Sequence, residues 1–348
     1  MSPAARIAPF VSIIIPCRNE EGYIANCLDS ILASAYPRRR IEILVADGQS
    51  SDGTRGILVR YAALHPGILL LDNPTGTTPA GLNLAIGAAS GEIIIRMDAH
   101  VLYPADYIPR LVAALEESGA DNVGGVLETV PAAETATARA IALGLSHRFG
   151  VGNAYFRTGV SEPREVDTVP FGCYRREVFD RIGLFDEELI RNQDDEFNFR
   201  LITRGGRVVL LPDVLCRYFA RPSLTQLARM YYQYGYFKPL VARKVGRVMT
   251  VRQLIPSILV AILGVSAALS WWIPLARLAL AVTAGTYVLV VLLCAGALMP
   301  AHGFRCAAAL TLVFPTLHFS YGSGFLRGIR DHLIIQAKPP ARALVLSR

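Results

Sequence analysis

Asp98 and His100 close the stretch Glu92-Ile93-Ile94-Ile95-Arg96-Met97-Asp98-Ala99-His100. A carboxylate and an imidazole form a ligand pair for Mn²⁺ or Mg²⁺ when a substrate diphosphate supplies further oxygens. The β-branched run before them reads as a buried strand of a parallel sheet, because such strands are covered on both faces and need not alternate. Side chains two apart on a strand share a side. Both groups are therefore expected to aim past the strand's carboxyl end, where open α/β sheets bind ligands. A plainer reading is a strand end with a solvated Asp and a chance His, and the pair alone does not separate the two.

The elements that would position this pair follow from pattern. Phe10–Pro16 reads as a first strand stopped by Pro16, which has no N–H for a ladder. Glu20–Ala35 carries Ile24, Cys27, Leu28, Ile31 and Leu32 at helical spacing. Ile41–Asp47 is the second strand, and Gly48-Gln49-Ser50-Ser51-Asp52-Gly53-Thr54 is turn chemistry plus a helix N-cap. A helix to Leu64, a strand near Ile68–Asp72 and a helix over Pro79–Ala89 lead into the Asp98 strand. This alternation predicts a doubly wound α/β domain with right-handed crossovers. Further on come a helix over Tyr107–Ser118, a strand over Asp121–Val130, a helix near Thr135–Leu145 and a short strand over Val169–Tyr174. A helix over Arg176–Ile182, a helix capped by Asn192 and a last strand over Val208–Pro212 follow.

Composition points to a membrane. Of 348 residues, 52% are hydrophobic, and mean hydropathy is +0.37. The net charge of +7 is unevenly spread: after Asp213 there are fifteen Lys/Arg and one acid, Asp331. The first 213 residues hold the other twenty Lys/Arg against twenty-seven acids. An acidic head on a basic apolar tail suits a cytoplasmic domain on an anionic bilayer. Nucleic acid is disfavoured, since the basic residues lie among long apolar runs with no recognisable nucleic-acid motif. The six cysteines show no CxxC or zinc spacing and fit a reduced compartment. Arg217–Arg252 carries eight Lys/Arg and no acid beside Leu224, Leu227, Tyr231, Tyr232 and Leu240, which predicts amphipathic interface helices. The alternative there is an ordinary helix packed on the soluble domain. Ile255–Ile273 and Leu278–Leu298 read as spans, with Trp271-Trp272 as an interface anchor. Cys306–Leu326 carries Pro315, Gly322 and Gly324 and reads either as a span or as a broken, re-entrant segment. The expected division is a head domain over 1–216, interface helices over 217–252, a transmembrane region over 253–328 and a basic tail over 329–348. The basic segment before the first span places the head on the cytoplasmic side of an inner membrane.

Pro16-Cys17-Arg18-Asn19-Glu20-Glu21, then Asp47-Gly48-Gln49-Ser50-Ser51-Asp52-Gly53-Thr54, Asp98-Ala99-His100 and Gln193-Asp194-Asp195-Glu196-Phe197-Asn198-Phe199-Arg200 occur in this order. Together they resemble family 2 glycosyltransferases of the GT-A fold, over about residues 10–215. Asn192–Glu196, Phe149–Asn153 and His318–Gly322 look like the succinoglycan glucosyltransferase (ExoA) subgroup.

The resemblance implies a nucleotide-sugar site. In it Pro16, Arg18 and Glu20 match the opening nucleotide-contact motif, and Asp47 matches the acid that hydrogen-bonds the base. Asn83 lies in the segment before the metal motif, and Asp98 matches that motif's first acid. His100 stands where many members have a second Asp, which bears on which of Mn²⁺ and Mg²⁺ is used. Asp194 matches the base that takes the proton of the attacking acceptor hydroxyl. Acids in a first helical turn also offset the macrodipole, a role assigned to Asp195 and Glu196. The implied reaction is inverting transfer, with UDP-glucose as donor, onto a polyprenyl-diphosphate-linked saccharide for exopolysaccharide or surface-glycan assembly. Processive synthases of the family carry Gln-x-x-Arg-Trp; here no Arg-Trp follows Gln233, which favours transfer of a single residue. The alternatives are transfer to polyprenyl phosphate and a non-enzymatic nucleotide-sugar-binding scaffold.

Overall fold

The structure, a computed structural model, describes residues 8–247 and 250–336. The end of the expected basic tail, with Lys338, Arg342 and Arg348, lies outside the described residues. In chain order the elements begin β1 (Val11–Cys17), α1 (Ile24–Leu32), β2 (Ile41–Asp47), α2 (Thr54–Leu64), β3 (Ile68–Asp72), α3 (Thr78–Ala88), β4 (Ile93–Arg96), β5 (Val101–Leu102) and α4 (Tyr107–Ser118). Next are β6 (Asn122–Val130), α5 (Ala136–Ser146), α6 (Arg148–Val151), α7 (Tyr155–Thr158), β7 (Arg164–Glu165), β8 (Cys173–Arg175), α8 (Arg176–Ile182) and α9 (Gln193–Thr203). Last are β9 (Val208–Phe219), α10 (Leu224–Val245), α11 (Ile255–Leu269), α12 (Pro274–His302) and α13 (Phe304–Gly328).

The chain divides into two compact units, Met1–Glu128 with Gly159–Tyr218, and Thr129–Thr158 with Phe219–Arg348. Residues 129–158, expected within the head, therefore group with the C-terminal helices. The sheet runs β3-β2-β1-β4-β8-β6-β9-β5, with β7 also on β9. Its β3-β2-β1-β4 part is parallel, and β8 opens an antiparallel extension against β4 and β6. The parallel strands are apolar throughout because helices cover both faces: Ile13, Ile14, Ile15, Ile43, Leu44, Val45, Ile94 and Ile95 are fully buried. One face of α1, made by Ile24, Cys27, Leu28 and Ile31, closes on them.

Several expectations are adjusted. β1 runs through Pro16 to Cys17, with Pro16 opposite Ala46. The helix expected from Glu20 begins at Ile24, because the carbonyl of Glu20 accepts from Tyr23 N and Ile24 N and forms a turn first. β4 ends at Arg96, so Asp98 and His100 stand on a turn and strand alternation does not align them. β8 starts only at Cys173, although Gly172 O accepts from Arg96 N at 2.9 Å one step further along the same register. β9 extends past Pro212 to Phe219, pairing with β7 at Val209 and Leu210 and with β5 at Arg217 and Tyr218; Pro212 falls between the two sets.

The second unit is helical. α13 is one continuous helix through Pro315, so its glycines do not break it; they let main chains touch. A Cβ on Gly235 of α10 would run into the carbonyl oxygen of Tyr321, and one on Gly324 or Gly328 into the carbonyls of Tyr232 or Tyr236. Gly322 meets Pro256 O of α11 in the same way. Small residues at helix crossings permit this approach. The aromatic side of α10, with Tyr231, Tyr236 and Phe237, is buried in the unit. His318 of α13 lies 2.8 Å from Phe149 O through Nε2 and 3.0 Å from Tyr287 Oη of α12 through Nδ1. Residues 251–269 and 274–302 are long and apolar enough to cross a membrane. Many of their large side chains are uncovered, Leu275 at 71% and Leu293 at 63% exposure, and so are Trp271 and Trp272 in the turn between them.

Candidate active site

The carboxyl ends of β1, β2 and β4 gather most of the sequence-chosen residues. β1 and β2 end level, with Cys17 opposite Asp47, and the loops leaving them lock together. Asn19 N donates to Ser50 Oγ (2.9 Å), Ser51 N to Asn19 Oδ1 (2.8 Å) and Gly53 N to Glu21 Oε2 (3.0 Å). Asn19 and Gln49 hold left-handed φ values of 54° and 58°, and Asn192, before α9, holds 62°. Such conformations cost energy in non-glycine residues and collect at sites where geometry is imposed.

Asp98 is held by its own turn. Its N–H donates to Tyr103 Oη at 2.8 Å, and that hydroxyl donates back to Asp98 O at 3.3 Å. His100 turns its Nδ1 to Glu20 Oε1 at 3.0 Å and sets its ring edge-on to Tyr218. A carboxylate on one imidazole nitrogen orients the other, as in metal sites whose histidines have such a partner. Among the described residues no three His, Cys, Asp or Glu side chains cluster as a cation site. Asp98 and His100 thus fit a cation whose remaining ligands come from a diphosphate and water.

Arg96 joins Asp98 to Asp194. This guanidinium is buried at the end of β4, with NH2 3.1 Å from Asp98 Oδ1 and NH1 paired to Asp194 Oδ1. Its plane lies over the Phe171 ring, 5.8 Å from the centroid. Asp194 opens α9, and burial pushes its carboxyl up to about 6. The Arg96 charge opposes that rise, and Asp98 and Asp195 add to it. Arg96 itself is held charged, the two aspartates outweighing its burial. A carboxyl poised there is ionised at neutral pH and still basic enough to take a hydroxyl proton.

The other site residues are placed as follows. Asp47 is completely enclosed: Oδ1 accepts from Ser50 Oγ at 2.6 Å and Ser50 N at 3.3 Å, and Oδ2 pairs with Arg55 at 3.1 Å. Arg55 also reaches Asp72 at 2.6 Å. Arg18 donates to Gly76 O at 3.4 Å, beside Gly48. Asp52 accepts from Thr54 N at 3.0 Å just before α2, but the N-cap position itself falls on Gly53. Asn83 stands apart. Its Nδ2 donates to Phe185 O and Glu187 Oε1, and its Oδ1 accepts from Phe185 N, all at 2.9 Å; it staples the 185–187 loop. Glu196 is bidentate to Arg200, at 2.7 and 2.9 Å. Asn192 precedes α9, but its side chain makes no cap bond.

The residue that sequence reasoning missed is Arg96. Its signal was present, since a charged side chain inside a buried apolar strand needs a partner.

A parallel half-sheet with an antiparallel extension, its carboxyl edge lined by these acids, defines a GT-A-type nucleotide-diphospho-sugar transferase. The chain belongs to glycosyl transferase family 2. The model of that family matches residues 12–183. The succinoglycan biosynthesis protein ExoA of Rhizobium meliloti is 33% identical over 225 residues, covering 64% of this chain and 67% of ExoA. A Methanococcus voltae dolichyl N-acetyl-alpha-D-glucosaminyl phosphate 3-beta-D-2,3-diacetamido-2,3-dideoxy-beta-D-glucuronosyltransferase is 29% identical over 68% of this chain and 74% of its own. Among solved structures, the mannosyltransferase PcManGT of Pyrobaculum calidifontis, in complex with GDP-Man and Mn²⁺, matches with TM-score 0.57 and 20% identity, covering 96% of this chain and 90% of PcManGT. That likeness is one of fold. The protein is a glycosyltransferase.

Proposed function

We propose that the protein is a membrane-anchored, inverting glycosyltransferase that moves glucose from UDP-glucose onto a polyprenyl-diphosphate-linked saccharide at the cytoplasmic face, for exopolysaccharide or surface-glycan assembly. The observation that carries this reading is the buried Asp98–Arg96–Asp194 chain. It ties the acid on the diphosphate side to the acid on the acceptor side at one edge of the sheet. Asp194 takes the proton of an acceptor hydroxyl as its oxygen attacks the anomeric carbon. The bond from that carbon to the diphosphate breaks on the opposite side, and the nucleoside diphosphate leaves with the electron pair. One displacement inverts the centre, so an α-linked donor gives a β-linked product. Asp98 and His100 would hold a divalent cation, Mn²⁺ or Mg²⁺, which neutralises charge on the departing diphosphate. Pro16, Arg18 and Glu20 line the nucleotide side, and Asp47 accepts from the base. A carboxylate has about four acceptor sites, of which Ser50 and Arg55 fill three; the fourth is enclosed with the rest of Asp47, so base contact requires the half-exposed Arg55 to swing aside and open it. Asn83 acts from a distance by fixing the loop after α8.

The name of ExoA supports exopolysaccharide assembly, and that of the Methanococcus voltae enzyme, which includes a dolichyl-linked sugar phosphate, supports a polyprenyl-linked acceptor. The uncovered apolar faces of α11 and α12 support a membrane anchor. The test is transfer of radiolabelled glucose from UDP-glucose to lipid-linked acceptor in membranes, comparing wild type with Asp98→Asn and Asp194→Asn. Equal turnover in all three refutes the reading.

A further inference from the structure

Just ahead of α10 lies a buried guanidinium, two of whose nitrogens lack a partner among the described residues. Arg221 is 4% exposed. Its Nε and NH1 are sealed from solvent and have no hydrogen-bond partner among the described residues. Buried charges in proteins are paired, and a buried orphan donor calls for an explanation such as an absent ion. The unit containing Arg221 has almost nothing to offer. Residues 129–158 and 219–348 contain two acids, Glu134 and Asp331. Glu134 is exposed. Asp331 is engaged by Arg327 Nε at 2.7 Å and Tyr236 Oη at 3.2 Å. The anion that Arg221 lacks must come from outside this unit.

Its chemistry can be named. A guanidinium is a planar fork that matches the oxygens of a phosphate, where it binds in bidentate fashion. Arg221 stands three residues before Leu224, the first residue of a 22-residue helix. Ser223 caps that helix by accepting from Gln226 N at 3.3 Å. The remaining amides of the first turn have no intrahelical acceptor, and a helix start favours anions. Pro222 between them has no N–H to compete. Two sources of phosphate suit a basic, apolar unit: bulk lipid headgroups and the diphosphate of a polyprenyl-linked acceptor. Deep enclosure favours a phosphate fixed within one ligand over a headgroup that exchanges with the bilayer.

We infer that Arg221 binds the diphosphate of the polyprenyl-linked acceptor. This rests on the acceptor class proposed above. The test uses the full chain in nanodiscs and reads binding of radiolabelled polyprenyl diphosphate with no donor present, so it needs no turnover. In phosphatidylcholine discs Arg221→Gln is expected to weaken binding at least about tenfold, with Arg221→Lys in between, and UDP affinity and melting temperature unchanged. Equal binding by Arg221→Gln overturns the inference. So does a parallel loss of UDP binding, which would make Arg221 a donor or folding residue. Adding phosphatidylglycerol is expected to leave binding intact; competition there would assign the site to headgroups and overturn the acceptor assignment. A wild type that binds the lipid diphosphate through Arg221 but transfers no sugar refutes the proposed reaction and leaves this site standing.

Discussion

Arg96 sets the ionisation of Asp194 from beneath. If Asp194 is the base, as proposed, it acts as a carboxylate; its carboxyl is pushed up to about 6, so kcat/KM for transfer is expected to rise tenfold per unit as pH climbs toward about 6 and to level off above it. The guanidinium lowers that value, so Arg96→Gln is expected to move the midpoint upward, read from the acid limb of the pH–rate profile. Asp194→Asn removes the base and is expected to cost about 10²–10⁴ in kcat while donor binding, measured by UDP titration, persists. Glu20 acts one step further out. By orienting His100 it supports cation affinity, and Glu20→Gln is expected to weaken Mn²⁺ binding roughly 10–100-fold, read by the paramagnetic resonance of free Mn²⁺. An unchanged Mn²⁺ isotherm would detach His100 from the cation.

At the scale of elements, the crossing of α10 and α13 is the most exacting contact. Gly235 and Gly324 each face a main-chain oxygen that cannot swing aside as a side chain would. Gly235→Ala or Gly324→Ala is expected to lower stability by about 1–3 kcal/mol, seen as a depressed melting temperature, whereas Gly285→Ala in α12, with open space around it, is expected to be neutral. The alternating strands and helices of the head were legible because apolar runs and helical spacing are local signals. So was the place of Asp194 in the first turn of a helix, whereas Asp98, expected to close a strand, stands two residues past the end of β4. What the sequence did not disclose depends on contacts distant along the chain. β4 stops at Arg96 because that side chain turns inward to two acids, one of them almost a hundred residues on. Asn83 appeared to belong with the nucleotide, yet its amide is occupied by a loop that sequence distance hides. Gly322 and Gly324 suggested a broken helix because a glycine's intrinsic cost shows in sequence and the backbone it admits does not.

For the whole molecule, charge and apolar surface tell one story. All but one of the acids lie at or before Asp213, leaving the rest of the chain strongly cationic, and α11 and α12 present uncovered Ile, Leu and Val, with Trp271 and Trp272 between them. The full chain is expected to stay with the membrane pellet after an alkaline carbonate wash and to enter solution only with detergent; release by carbonate would mean surface attachment alone. The 29 residues of α12 measure about 43 Å at the α-helical rise, against roughly 30 Å of hydrocarbon and about 40–45 Å for a bilayer with its headgroups. Within such a bilayer this one helix reaches from one polar layer to the other, with Arg277 near its first turn and His302 at its last. Arg305 follows in the first turn of α13, so in such a bilayer the turn joining the two helices would carry a cation at the height of the lipid phosphates.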